Sequence, residues 1–272
     1  MFTHLTDLRK ALLYYGIAFG LCLGLTFLAP QLGSRITVVV MFAPLVAVLL
    51  MLLVITRDGY GKAGWISLGL HRAGLPGWGL ALLVPMIVLG FAYGSLWLIG
   101  AAAFRVPDTF GGISYLIDLF LSAIIVTLLG GIGEETGWRG YLLPKLRGLG
   151  IRRALLLSGL LHGLWHLPVI IGTPYYHSTG NLLIIVPLFL LTLTMAGVCY
   201  GYLRLTTGSV WPAALAHAAF NVLWERFNTF TVAGSPVTVE YLAGESGVCT
   251  LVALAITAGW LLHHLNNRLL NV

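Results

Sequence analysis

The chain has 272 residues and a formal net charge of +6, with 58% hydrophobic and only 9% charged residues. Its mean hydropathy is +0.94. Soluble domains carry about 25% charged residues, so this composition excludes the water-soluble globular classes and makes a lipid bilayer the surrounding medium.

A helix needs about 20 apolar residues to cross roughly 30 Å of hydrocarbon. Eight stretches approach that length in chain order, near 11–29, 36–55, 78–103, 113–133, 154–171, 182–204, 209–224 and 248–265. The seventh is short, and the fourth is open to extension past residue 133. The first is too long for the apolar region of a signal peptide and ends without an Ala-x-Ala site, so it reads as a retained span. The expected fold is all-α, a polytopic transmembrane helical bundle of about eight spans. It forms a single membrane-embedded domain over residues 1–272, with a motif-bearing core at about 113–225.

With these spans, Arg35, Arg105 and Arg226 fall on one side of the membrane, and the other twelve of the 15 Lys and Arg residues fall on the N-terminal side. Positive charge concentrates in cytoplasmic loops. The asymmetry therefore predicts an even number of crossings with both termini cytoplasmic; the expected location is as an integral protein of a prokaryotic plasma membrane. The net charge is a topology signal and not a footprint for nucleic acid, which is not expected as a partner. Cys22, Cys199 and Cys249 lie inside spans without metal-knuckle spacing and read as small packing residues.

Ionisable groups inside a bilayer cost roughly 2.5–3.5 kcal/mol each on insertion scales. Here Asp118, Glu134, Glu135, His162, His166 and His217 concentrate on spans four, five and seven. In Glu134-Glu135-Thr136-Gly137-Trp138-Arg139, the i,i+4 spacing of Glu135 and Arg139 suits an ion pair, while Glu134 points about 100° away. The bland alternative is a charged helix end with Arg139 reaching for the interface. In His162-Gly163-Leu164-Trp165-His166-Leu167-Pro168, two imidazoles share one helix face at a spacing that also serves metal ligands. Pro168 is expected to loosen the helix just beyond His166. In His217-Ala218-Ala219-Phe220-Asn221, an imidazole and a carboxamide share a face and suit stabilisation of a developing oxyanion. An interhelical hydrogen-bonded pair is the alternative there. Small residues around them, Ala213, Ala214, Ala216, Ala218 and Ala219, allow close helix approach.

Asp118 reads as a structural partner for a hydroxyl or amide. His263 and His264 read as interfacial groups, and His177, with Tyr175 and Tyr176, as part of an interfacial belt.

The three motifs, in this order on successive membrane helices, resemble those of the CPBP intramembrane proteases. This family is also called Abi or CAAX-protease, and its members include the Ras-converting endopeptidase. Glu134, Glu135 and Arg139 match its E-E-x-x-x-R motif. His166 matches F-x-x-x-H, with His162 standing where phenylalanine is expected, a departure read as touching a packing position. His217 and Asn221 match H-x-x-x-N.

The resemblance covers roughly residues 130–225 and implies an intramembrane endopeptidase. It implies Glu134 as general base aided by His166, His217 and Asn221 as the oxyanion pocket, and Glu135 and Arg139 as support, with His162 supporting at most. No cofactor is favoured. The zinc alternative would use Glu134, His162, His166 and His217, freeing Glu135 as base. The expected partners are the lipid bilayer and a protein or peptide substrate, with a C-terminal lipid as one option, in a cavity opening to the cytoplasmic side. Two rival classes carry the same residues. One is a non-proteolytic scaffold or bacteriocin-immunity protein of the same fold, which would survive loss of Glu134. The other is a small-solute or proton-coupled transporter, disfavoured by the lack of a duplicated half with paired broken helices.

Overall fold

A computed structural model describes residues 5–108, 110–177 and 179–270, with side chains as far as residue 265. The outermost terminal residues and the side chain of Arg268, which entered the topology argument, lie outside that range.

Among the described residues, eight long helices run in the predicted order. They are α1 (Asp7–Thr26), α2 (Arg35–Ile55), α3 (Leu75–Leu98), α4 (Gly112–Leu149), α5 (Ile151–Gly172), α6 (Leu182–Thr207), α7 (Trp211–Thr229) and α8 (Val248–Leu270). The first begins where Thr6 caps it, its hydroxyl accepting from the Arg9 amide at 3.4 Å, with Asp7 in the positive first turn. Asn181 caps α6 in the same way, accepting from the Leu183 amide at 2.9 Å.

Seven of the eight are long and apolar enough to cross a membrane; α7 is not among them. The difference from the expected eight has a local cause. Helix α7 concentrates His217, Asn221, Glu225, Arg226 and Asn228, and its first half is shielded by protein, with Ala213, Ala214, Ala216, His217, Ala218 and Ala219 all buried. A helix packed among others need not be lipid-compatible on every face.

Helix α4 runs far past residue 133 and is not uniform. π-helical segments at Thr127–Gly131 and Thr136–Leu142 flank one short α-helical stretch, Ile132–Glu135. The first part of α4, Gly112–Val126, buries no residue, whereas Gly133 to Leu143 is continuously buried. Helix α5 continues through Pro168 to Gly172. The proline, expected to loosen the helix, leaves it continuous and removes the N–H that the Leu164 carbonyl would have accepted.

Close packing of α5 on α6 depends on two glycines. A Cβ on Gly197 would lie 2.4 Å from the Gly159 Cα and 2.9 Å from Arg139 Nη2. This is the small-residue contact that lets membrane helices touch. A Cβ on Gly131 would lie 2.6 Å from the Ala214 carbonyl oxygen, bringing α4 against α7 in the same way.

Ion pairs tie one end of the bundle together. Lys145 Nζ meets Asp7 at 2.8 Å, and Lys10 Nζ meets Asp58 at 2.6 Å. At the opposite end, β1 (Ala103–Phe104) pairs antiparallel with β2 (Thr231–Val232). A short helix, Pro236–Leu242, lies at that end too.

Candidate active site

Glu134 and Glu135 sit at the centre of α4, at 1% and 0% exposure. Their partners differ, as their directions on the helix predicted. Glu135 Oε1 accepts from Arg139 Nη1 at 2.8 Å, and both side chains are fully buried. The same oxygen receives His217 Nδ1 at 3.0 Å. Glu134 Oε2 instead meets His162 Nε2 at 2.8 Å. Arg139 Nη1 also approaches His162 Nδ1 at 3.1 Å. His166 Nδ1 lies 3.1 Å from the His162 carbonyl oxygen, one turn back on α5.

Partner chemistry fixes the proton positions. A carbonyl or carboxylate oxygen only accepts, so His166 and His217 donate through Nδ1, which turns each Nε2 away from the backbone or the buried carboxylate. Aromatic rings hold these imidazoles in place. Trp138 stacks on His162 at 5.0 Å and Tyr200 on His217 at 5.6 Å, while the Arg139 guanidinium sits 5.1 Å above Tyr200.

Glu134, His166, His217 and Asn221 line one cavity of about 530 Å³, together with Thr37, Met41, Tyr176, Trp224, Glu225 and Glu245. Thr37 and Met41 are at the start of α2, and Trp224 and Glu225 near the end of α7. The cavity is thus on the side of β1 and β2, away from the Asp7–Lys145 end. This corrects the expected opening. The cavity reaches the end opposite the basic loops because Tyr176, Trp224, Glu225 and Glu245 line it.

A family model described as Rce1-like, type II CAAX prenyl endopeptidase Rce1-like, matches residues 116–223. The "CAAX prenyl protease 2" of Methanococcus maripaludis is 30% identical over 150 residues, 54% of this chain and 52% of that protein. The chain thus spans about half the length of the curated relative it matches. All six matched motif residues, from Glu134 to Asn221, fall inside the matched family segment, as does His162. Over that segment, the chain is similar to the Rce1-like endopeptidases.

Several residues around this site escaped the sequence reading. Trp138 lies within the first motif, and its position next to Arg139 was the one available signal. Tyr200 carried none, since a tyrosine on an apolar span is unremarkable. His177 is not part of an interfacial belt. It is 7% exposed and bridges Glu240 at 2.6 Å and Glu245 at 3.3 Å, while the Tyr176 hydroxyl also donates to Glu245. Burial alone would lower the His177 pKa, but hydrogen bonds to the two carboxylates outweigh it and push it up to about 9. Burial would likewise raise Glu245, yet the bond from His177 holds it below its ordinary value.

Asp118 pairs with Arg226 Nη2 at 2.6 Å, and not with a hydroxyl or amide. His264 stacks on Trp260 at 5.9 Å.

Proposed function

We propose that this chain is an intramembrane endopeptidase that hydrolyses a peptide bond of a membrane-associated protein or peptide. The observation that carries the reading is the convergence of Glu134, His166, His217 and Asn221 from three helices on one cavity. The curated relative's name points to the same reaction class. A scaffold does not require a buried carboxylate beside an imidazole with one nitrogen left for a ligand, and a carrier is disfavoured by the lack of a duplicated half with paired broken helices.

Glu134, His162 and His166 each offer a donor atom within 4.8 Å of the others, which raises the question of zinc. The donor set does not fit. Zinc on His162 Nε2 would need the lone pair there and would move the ring proton to Nδ1. That nitrogen faces an Arg139 N–H at 3.1 Å, so donor would oppose donor. Ligating histidines instead turn the second nitrogen toward an acceptor. His217, the fourth member of the expected zinc set, is not in the convergent group. The metal-free scheme is the one proposed.

In that scheme Glu134 and the Nε2 lone pair of His166 hold one water between them, a span suited to a bridging water. Glu134 takes a proton as the water oxygen attacks the substrate carbonyl carbon, and returns it to the departing amine. His217, anchored on the Glu135 carboxylate, stabilises the tetrahedral oxyanion as an imidazolium through Nε2–H, with the Asn221 amide as second donor. Asn221 Oδ1 is buried without a partner, which leaves that side chain uncommitted to the fold.

The whole of residues 1–272 is proposed as one domain in a prokaryotic plasma membrane, with its basic end in the cytoplasm. The mouth then serves substrates from the opposite face. A C-terminal lipid on the substrate is compatible with this reading and not required by it.

The test compares peptides released from membranes carrying wild-type protein or Glu134→Gln, read by mass spectrometry. Cleavage products present only with wild type are expected. An identical peptide set in both would sink the reading.

A further inference from the structure

His162 occupies the position where the family motif carries phenylalanine, so nothing in the motif assigns it a role. Its surroundings do. The ring is fully buried, stacked on Trp138, and both nitrogens are engaged. A guanidinium can only donate, so the contact from Arg139 Nη1 requires a lone pair on His162 Nδ1. The neutral ring then carries its proton on Nε2, which donates to Glu134 Oε2 at 2.8 Å. Arg139 Nη1 has two hydrogens and serves Glu135 Oε1 with the other.

We propose that His162 is a positioning residue for Glu134, a neutral imidazole polarised by Arg139 that holds one carboxylate oxygen and leaves the other for water. This rests on Glu134 being the base. It goes beyond the family motif, in which a phenylalanine could make neither bond. It makes the Glu134 orientation depend on Arg139 through a chain of two hydrogen bonds crossing from α4 to α5 and back. Bonds to a charged group are roughly twice as strong as neutral ones, so the arrangement restricts the carboxylate more than packing would.

Two variants separate positioning from packing and from ligation. In His162→Gln, the amide oxygen can accept from Arg139 and the amide nitrogen can donate to Glu134, as the imidazole does. His162→Phe restores the family residue and makes neither bond. The expected result is that His162→Gln keeps turnover within about tenfold of wild type, while His162→Phe loses on the order of 10²-fold in kcat with KM little changed. Wild-type turnover in His162→Phe, or equal loss in both variants, would overturn the proposal.

A second readout does not depend on activity or on either variant folding. Nitrogen NMR of histidine-labelled wild-type protein should show His162 protonated at Nε2 and bare at Nδ1. The opposite tautomer, or a metal-shifted Nε2, would contradict it. If Glu134→Gln retained full turnover while this tautomer was observed, the endopeptidase scheme would fail and the hydrogen-bond chain would stand.

Discussion

Adjacent carboxylates on one helix acquire different work because α4 turns them toward different neighbours. Glu135 faces Arg139 and His217 and is consumed by structure, while Glu134 reaches the cavity. Removing one member of a buried ion pair costs about 3–5 kcal/mol, since the survivor is left charged and unpaired. Glu135→Gln is therefore expected to lower the melting temperature in detergent and to reduce turnover with it, whereas Glu134→Gln should melt like wild type. Equal melting of the two variants would contradict this division. The Glu135–Arg139 pair was legible from its i,i+4 spacing. The role of His162 was not, because the sequence reading treated that pair as closed. Arg139 has a second hydrogen on the same nitrogen, and only the placement of α5 shows where it goes.

Helices α4 and α5 were legible as elements because bilayer thickness sets the apolar length to look for, and α7 because its polar residues recur within one apolar stretch. Their departures from ideal geometry were not. Periodicity arguments assume 3.6 residues per turn, and the two π-helical segments of α4 depart from it on either side of Glu134 and Glu135. Such segments often mark functional sites, because they re-aim side chains within a continuous helix.

The loop after α5 was misread for a related reason. Its acidic partners Glu240 and Glu245 lie more than sixty residues away in sequence. That contact fastens the loop to the segment before α8 and has a definite pH dependence. His177, with its raised pKa, contributes stability fully below about 6.5, and the contribution is lost as pH rises through about 9. Glu245, with its lowered pKa, contributes above about 4.5 and loses that contribution as pH falls. Thermal stability should fall between pH 6.5 and 9 in wild type, and the fall should be smaller in His177→Gln. A parallel fall in both would show that the latch does not carry it.

At the scale of the molecule, hydropathy located the bundle and charge gave it an expected orientation, but neither could say which end the cavity faces. That depends on how far along each helix the motif residues sit, and His166 lies fifteen residues into α5. The proposed topology puts Arg152 in the cytoplasm and Ser235 on the opposite face. Both positions are exposed. In a background lacking Cys22, Cys199 and Cys249, an impermeant thiol reagent added to intact cells should label Ser235→Cys and spare Arg152→Cys; the reverse would invert the orientation.

The most direct test of the central claim, that Glu134 delivers water to a peptide bond, is cleavage of a membrane-anchored peptide by purified protein in ¹⁸O-water. The account predicts one ¹⁸O atom in each new carboxyl terminus, and loss of the product in Glu134→Gln although that variant remains folded. Undiminished, ¹⁸O-labelled cleavage by Glu134→Gln would contradict it.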